Sequence, residues 1–275
     1  MDTMMMTGNH TLGQQASYTD KYSPGLLVAI PRVENRAAMG LGADLPFQGV
    51  DIWNAWELSW LENNGRPSVA TLQLRVPAES PNIIESKSLK LYLNSYSMSR
   101  FDTPDDVCSN IASDLSGCAD AKVAVSMGTA RSASGASTES LPGSCIDDLD
   151  VECNTWDVDA SLLQADQGKN VSEALYSNLL RSLCPVTSQP DFGSVLLKYE
   201  GPEIDRASLL RYIVSFRKHK DFHEACVERM FLDIKERCRP TKLAIYARFQ
   251  RRGGIDINPF RADTGLALAD ILRTS

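Results

Sequence analysis

Ser88-Leu-Lys-Leu-Tyr92 and Ser208-Leu-Leu-Arg-Tyr212 share a serine, the leucine after it and a tyrosine, and they lie about 120 residues apart. A serine and an aromatic residue follow each of them, Ser95-Tyr96 in the first half and Ser215-Phe216 in the second. A pattern that returns at a fixed spacing predicts that one supersecondary unit occurs twice. These two stretches therefore decide the fold.

The sequence around each stretch predicts the order strand, helix, helix, strand. Alternating apolar residues indicate strands, and apolar residues three or four positions apart indicate helices. In the first half the predicted elements are strands at Ser68–Val76 and Ala121–Met127 and helices at Glu85–Tyr96 and from Asp102 to about Leu115. In the second half they are strands at Gly193–Tyr199 and Leu243–Phe249, a helix from Asp205 or Ser208, and a helix from about Asp221 to Cys238. We predict a duplicated α+β fold with antiparallel sheets and paired helices on one face of each.

The chain length suits one large domain or two of about 130 residues. From the repeat we predict an N-terminal unit at 1–135, a connecting segment at 136–159 and a C-terminal unit at 160–275. Trp53, Trp56 and Trp60 are interpreted as a packed N-terminal element, with ligand contact as the alternative.

Charge and patterning restrict the partners and the compartment. A formal net charge of −7 argues against direct nucleic-acid binding, which uses clustered positive charge. No apolar run approaches the ~20 residues of a membrane helix, and Met1–His10 lacks the basic and apolar segments of a secretory signal. We expect a cytoplasmic protein whose seven cysteines are mainly free thiols.

A loop with two prolines contains a candidate nucleophile. It reads Leu-Cys-Pro-Val-Thr-Ser-Gln-Pro-Asp-Phe-Gly over 183–193, and an amphipathic helix is predicted before it at Val171–Leu183. The prolines restrict the backbone, so Cys184 and Asp191 can face one pocket. A thiolate is a strong nucleophile, and a carboxylic acid can supply a proton. A buried cysteine and a turn-forming aspartate are the alternative interpretation.

Two of the three histidines lie in His219-Lys-Asp-Phe-His-Glu224. On one helical face they could bind a metal, whereas Lys220 and Asp221 could instead break the helix, with Asp221 as N-cap. Because no HExxH motif or cysteine pair completes a zinc site, we expect no metal. A histidine next to a glutamate suits a polar heterocycle, since a carboxylate accepts hydrogen bonds from a guanidine-like N–H edge.

Two basic stretches are candidates for phosphate binding. Glu85-Ser-Lys-Ser-Leu-Lys90 opens a predicted helix, where its hydroxyl, charges and backbone N–H groups could bind phosphate. Arg248–Asp256 (RFQRRGGID) is predicted to turn at Gly253-Gly254 into a strand at Ile255–Ile257. An ordinary amphipathic helix and a simple hairpin cap are the alternatives. Since each half lacks the motif of the other, we predict one composite site that uses both halves.

Together these motifs resemble the 7-cyano-7-deazaguanine reductase family, the NADPH-dependent nitrile reductases of queuosine biosynthesis, in its long two-module form. Glu85–Tyr92 is similar to the cofactor motif of the family, Cys184–Gly193 to its nucleophile loop and Phe222-His-Glu224 to its substrate motif. The resemblance runs from about Leu12 to Arg273, and Phe192 stands where many relatives have tryptophan.

The resemblance implies a fold and a reaction. The implied fold is two tandem tunnelling-fold units per chain, associated into a homodimer. The implied reaction is the four-electron reduction of the nitrile of 7-cyano-7-deazaguanine to 7-aminomethyl-7-deazaguanine by NADPH, without a metal. Cys184 would add to the nitrile carbon to give a covalent thioimide, and Asp191 would protonate the nitrogen.

The resemblance also assigns the binding residues. Those implied for the substrate are Ile84, Glu85, Ser86, Phe222, His223 and Glu224. Those implied for NADPH are Ser86, Lys87, Arg252 and Gly253.

Three other functions fit parts of the pattern. A cysteine amidohydrolase would use Cys184 as nucleophile and His223 as base. A zinc-dependent cyclohydrolase of the same fold would bind the metal through His219, His223 and a thiol. A purine-binding module without catalysis would need no reactive cysteine.

Overall fold

The computed structural model of the chain describes residues 19–129 and 141–272. Three predictions concern residues outside these ranges: the unit boundary at 135, the absence of a signal in Met1–His10, and the ends of the family resemblance at Leu12 and Arg273. Within the described ranges, no helix is long and apolar enough to cross a membrane.

Antiparallel pairing dominates the strands of the described residues. The strands are β1 (Ala29–Pro31), β2 (Gln48–Leu61), β3 (Pro67–Pro77), β4 (Asn82–Ile84), β5 (Ala124–Thr129), β6 (Ser144–Cys145), β7 (Ala165–Leu183), β8 (Pro190–Ile204), β9 (Lys242–Phe249) and β10 (Ile255–Ala262). β1 pairs with β4, and the others form one sheet in the order β5-β3-β2-β10-β9-β8-β7-β6, in which the short β6 runs parallel to β7. With the helices, this gives the predicted mixed α+β fold.

The helices of the described ranges are α1 (Val33–Ala38), α2 (Ser86–Asn94), α3 (Pro104–Ala119), α4 (Arg206–Ser215), α5 (His223–Cys238) and α6 (Leu268–Leu272). The apolar sides of α2 and α3 pack in one core with β2 and β3, and those of α4 and α5 pack in a second core with β8 and β9. The two predicted helices of each half are therefore confirmed.

The repeat is present in the order of elements and in the hydrogen bonds. β2-β3-α2-α3-β5 is followed by β7-β8-α4-α5-β9. The Tyr92 hydroxyl donates to Asp114 at 2.6 Å, and the Tyr212 hydroxyl donates to Asp233 at 2.7 Å. Each hydroxyl links the first helix of its half to the second, so the repeated tyrosine has one structural task in both halves.

The two halves share one sheet, because β10 pairs with a strand from each half. Ile257 lies opposite Trp53 on β2, and Phe260 lies opposite Tyr246 on β9. The strand predicted at Ile255–Ile257 continues to Ala262. Pattern alone suggested a sheet for each half; the long-range pairing joins them.

The helix predicted at Val171–Leu183 is wrong, since these residues form the second part of β7. A β-bulge lies between Ser177 and Leu180 in the pairing with β8. The extra residue shifts the inward alternation, so that Leu175 and Leu180 both face the core. Their five-residue spacing breaks the strand period and, together with neighbouring apolar residues, imitates a helical stripe.

Candidate active site

A cavity of about 300 Å³ lies where four segments meet: the β7–β8 loop, the starts of α2 and α5, and the β9–β10 turn. Every residue predicted for the site lines it: Ile84, Glu85, Ser86, Lys87, Cys184, Asp191, Phe222, His223, Glu224, Arg252 and Gly253. The cavity thus combines residues from both halves, as the composite-site prediction required. The role of each residue stays a prediction.

Cys184 begins the β7–β8 loop, and two hydrogen bonds of the Cys184 backbone close this loop. The N–H of Cys184 donates to Gln189 O at 2.9 Å, and Ser188 N–H donates back to Cys184 O at 2.9 Å. Burial by itself raises the pKa of the Cys184 thiol, but hydrogen bonds from Thr187 and Val186 and from the Arg252 guanidinium outweigh it and bring the pKa below its ordinary value. The loop therefore favours the thiolate.

Asp191 is a buried carboxylate at the start of β8, and an arginine and a histidine lie beside it. Its Oδ1 lies 3.0 Å from Arg252 Nη2, and its Oδ2 lies 3.4 Å from His223 Nε2. Arg252 also donates to the Gln189 side chain at 2.9 Å. One arginine thus connects the cysteine loop with the carboxylate, and Asp191 has a partner through which a proton can be exchanged.

The start of α5 presents its side chains to the cavity. Phe222 is the N-cap and provides no side-chain cap. Glu224, the second residue of the helix, is 3% exposed. Its carboxylate accepts a hydrogen bond from its own backbone N–H, and in the described part of the chain no other residue's side chain forms a hydrogen bond or ion pair with it. Burial, reinforced by the Asp51 carboxylate, raises the pKa of Glu224 to about 7. A buried carboxylate with free lone pairs suits a ligand with paired N–H donors.

The two histidines do not lie on one helical face, because α5 begins at His223 and His219 precedes it. The His223 ring stacks on Phe249, with ring centres 3.8 Å apart. Its Nδ1 is buried and has no hydrogen-bond partner among the residues that the structure describes, and the same holds for His219 Nε2. Among the described residues there is no group of three or more His, Cys, Asp or Glu side chains that could hold a metal ion.

Glu85 is the N-cap of α2. Its carboxylate accepts hydrogen bonds from the N–H groups of Lys87 at 2.9 Å and Ser88 at 2.6 Å. These backbone N–H groups, which the sequence pattern indicated as candidates for phosphate binding, therefore already donate to the Glu85 carboxylate. What remains for an anion here is the Ser86 hydroxyl and the lysine charges.

A cluster of positive charge lies at one side of the cavity. Lys87 is exposed. Lys90 is partly buried, and burial, followed by repulsion from the nearby Arg252 charge, lowers the pKa of Lys90. Gly253 has φ +58°, and a Cβ there would lie 3.3 Å from the Lys90 side chain. Charge together with an open glycine backbone fits a phosphorylated dinucleotide such as NADPH.

Comparison with known proteins decides the family. Residues 18–127 match the family described as nitrile reductase, 7-cyano-7-deazaguanine-reductase N-term, and residues 190–265 match the QueF-like protein family. A Burkholderia orbicola protein named NADPH-dependent 7-cyano-7-deazaguanine reductase is 50% identical over 267 residues, which cover 96% of this chain and 97% of the relative. The chain belongs to the 7-cyano-7-deazaguanine reductase family.

Further relatives of this reductase family span the whole chain. One from Chromobacterium violaceum with the same name is 48% identical over 277 residues, covering 100% of this chain and 99% of its own. Among solved structures, archaeosine synthase QueF-Like in the apo form matches with a TM-score of 0.31 and 16% identity, over 36% of this chain and 96% of that one. The fold description therefore rests on the strand pairing of this chain.

Sequence reasoning missed several residues that surround the site in this reductase-family chain. Trp53, for which ligand contact is only the alternative to packing in the sequence, lines the cavity, and in the described part of the chain its buried indole N–H has no hydrogen-bond partner. Thr187 and Gln189 support Cys184 and Arg252. Arg32 lines a second, smaller cavity together with Glu224. No sequence signal separates these residues from ordinary core or loop positions, because their contacts join segments far apart in the chain.

Proposed function

We propose that the chain is an NADPH-dependent 7-cyano-7-deazaguanine reductase that forms 7-aminomethyl-7-deazaguanine for tRNA queuosine biosynthesis. Its family membership supports the activity. The observation that carries the assignment is one cavity that joins an activated thiol, Cys184, to the carboxyl groups of Asp191 and Glu224 and to a basic rim.

Cys184 adds to the nitrile carbon. A nitrile accepts hydride poorly, whereas the thioimide formed by addition resembles an iminium ion once protonated. The thiolate-favouring loop supplies the nucleophile at neutral pH.

Asp191 carries the proton that this addition needs. Paired with Arg252, it is a carboxylate that can take the Cys184 proton and give it to the nitrile nitrogen. The S–C bond forms as one C–N π bond breaks, so the thiol proton ends on nitrogen and charge balances. His223, 3.4 Å from Asp191, holds the carboxylate in place.

The start of α5 and the start of α2 bind the deazaguanine. Glu224 accepts hydrogen bonds from the paired N–H donors of the heterocycle, and Phe222 and His223 pack against its plane. From the other half, Ile84 forms an apolar wall, while Glu85 and Ser86 contact the polar edge. The free lone pairs of Glu224 and its burial support this arrangement.

Ser86, Lys87, Arg252 and Gly253 bind NADPH, and the positive charge around Gly253 supports this. Two NADPH molecules, bound there one after the other, would each supply one hydride, and the two hydrides with two protons convert the nitrile to the aminomethyl group. Between the two, Cys184 is released as its bond to carbon breaks, and the cavity retains the imine away from water.

We also infer the larger organisation. Each half is a tunnelling-fold unit, at 1–135 and 160–275, joined by 136–159, and the sheet edges associate in a cytoplasmic homodimer that binds no nucleic acid directly. The repeated element order and the repeated Tyr–Asp hydrogen bond support the tandem units.

Intact-protein mass with 7-cyano-7-deazaguanine and without NADPH tests the mechanism. We expect a mass increase equal to one substrate, and none in Cys184→Ala. NADPH consumption with the nitrile, two equivalents for each amine formed, tests the reaction. A folded protein that binds the compound without forming an adduct would contradict the covalent mechanism, and release of ammonia without NADPH would favour the amidohydrolase.

A further inference from the structure

A buried cluster of charged side chains lies behind the cavity, on the far side of Glu224. Arg32 binds Asp51 at 2.6 Å, and Arg261 binds Asp51 at 2.7 Å and Glu228 at 2.8 Å. Arg36 binds Glu228 at 2.7 Å. All five side chains are less than a tenth exposed. Such a cluster is expensive to desolvate, and breaking it by removing one partner is strongly destabilising.

The cluster continues to Glu224. Arg32, Asn35, Glu224 and Glu228 line a small cavity of about 20 Å³, whose remaining wall is apolar: Ile30, Pro31, Ile83, Phe222 and Ala225. The larger ligand cavity lies on the other side of Glu224. Glu224 lines both cavities, together with Ile83 and Phe222, and is the charged residue among the three.

The charges of the cluster do not balance without Glu224. Arg32, Arg36 and Arg261 carry three positive charges, and Asp51 and Glu228 carry two negative ones. Despite burial, the arginines hold the pKa values of Asp51 and Glu228 below their ordinary range. An ionised Glu224 makes the six groups neutral, and a neutral group of ion pairs is what a low-dielectric interior tolerates.

Resting on the reductase function proposed above, we propose that Arg32 is a positioning residue that keeps Glu224 ionised for the N–H donors of the substrate. Asp51 acts in the opposite sense, because its negative charge opposes ionisation of Glu224. Arg32 touches neither substrate nor NADPH and acts only through the charge and orientation of Glu224. Substrate affinity, and not the chemical step, then depends on the cluster.

The pH dependence follows from the groups around Glu224. On its buried side these are Arg32, Asp51, Glu228 and Arg261, and on the cavity side they are Glu85, Lys87, Lys90, Cys184, Asp191, Asp221, His223 and Arg252. With the Glu224 pKa at about 7, its carboxylate is protonated as the pH falls through 7 and loses an acceptor. Removing the Arg32 charge raises that pKa, and removing the Asp51 charge lowers it.

The test is the dissociation constant of 7-cyano-7-deazaguanine between pH 5.5 and 9, measured by titration calorimetry in a Cys184→Ala background. Binding should weaken below about pH 7. Arg32→Met should move the midpoint up by about one pH unit, and Asp51→Asn should move it down. Arg32→Lys should restore the original midpoint. Arg36→Met, which removes a cation of the same cluster that does not line the small cavity, is the matched control and should move the midpoint clearly less than Arg32→Met does.

With Cys184 present, Arg32→Met should raise KM about fivefold at pH 7, because a shift of about one pH unit lowers the ionised fraction of Glu224 by that factor, and should leave kcat within about twofold. Shifts of the same sign in Arg32→Met and Asp51→Asn, or no shift in either, would overturn the inference. If Arg32→Met does not fold, the downward shift in Asp51→Asn decides alone. Wild-type protein that binds the nitrile with this pH profile but does not oxidise NADPH would contradict the reductase and leave the Arg32 result standing.

Discussion

The two halves of the chain share one order of strands and helices, but they differ at the turn between their first two strands and at the start of their second helix. In the N-terminal half, that turn satisfies its own polar groups: Glu62 binds Arg66 at 2.8 Å and accepts from Ser68 at 2.7 Å. The second helix of this half, α3, begins with a capping box between Thr103 and Asp106. None of the charged side chains named for this turn and this helix start is directed to a ligand.

In the C-terminal half, the corresponding loop runs from Cys184 to Gln189, and the corresponding helix, α5, begins at His223 after the N-cap Phe222, which provides no side-chain cap. Glu224 stands where α3 has Asp105, as the second helical residue, but is buried and without a partner among the described side chains. The comparison indicates where a ligand binds in a duplicated unit. It binds in the half whose polar side chains are not satisfied by hydrogen bonds within the protein.

The largest difference between the halves should follow from Cys184. Cys184→Ala should lower kcat at least about a thousandfold, because it removes the nucleophile, while thermal unfolding stays near that of the wild type. Cys145→Ala, which removes an exposed thiol, should leave both unchanged. NADPH oxidation and thermal melting measure the two effects. Equal activity of Cys184→Ala and Cys145→Ala would contradict the assignment of Cys184 as the nucleophile.

Matched helix starts give the next effect. Glu224→Gln should raise KM about ten- to a hundredfold, since hydrogen bonds to a charged acceptor are worth about 1.5–3 kcal/mol. Asp105→Asn, at the same place on α3, should change neither KM nor kcat. Steady-state kinetics at pH 8 measure both. A comparable KM increase in the two variants would mean that the helix frame, and not the carboxylate, binds the substrate.

The N-caps of α2 and α4 should give the smallest effect. Glu85 and Asp205 both accept a backbone N–H of the serine three residues later, at 2.6 and 2.7 Å. Either change to alanine should lower the free energy of unfolding by about 1 kcal/mol. Only Glu85→Ala should also raise KM, because only Glu85 lines the cavity. Denaturant unfolding and kinetics separate the two roles, and a KM increase in Asp205→Ala would contradict them.

The sequence predicted the repeated unit because its signals are local. The stripe of α2 and α4, the caps at Glu85 and Asp205, and the turn at Gly253-Gly254 each lie within a few residues. The helix prediction at Val171–Leu183 failed because a bulge in the pairing with β8 sets the side-chain alternation there, and the partner strand is not visible in a local window.

For the site, the sequence supplied residue types and the fold supplied neighbours. Cys184, Asp191 and Phe222-His-Glu224 stand out by composition and by similarity to a family, and they line one cavity. The supports of that cavity do not stand out. Arg32 and Asp51 are 19 residues apart, and Arg261 is 210 residues from Asp51, so only the folded chain makes them a cluster.

By itself, the sequence determined the duplicated order of elements and the family, and it supplied the residues that we propose for the chemistry. The tertiary structure alone decided that both halves share one sheet through β10, that the carboxylate of Glu85 occupies the helix N-terminus offered to a phosphate, and that Glu224 faces a ligand cavity with a buried charge cluster behind it. The reason is physical. Propensity and periodicity act over a few residues, whereas burial, strand pairing and the electrostatics of a carboxyl group depend on segments that meet only on folding.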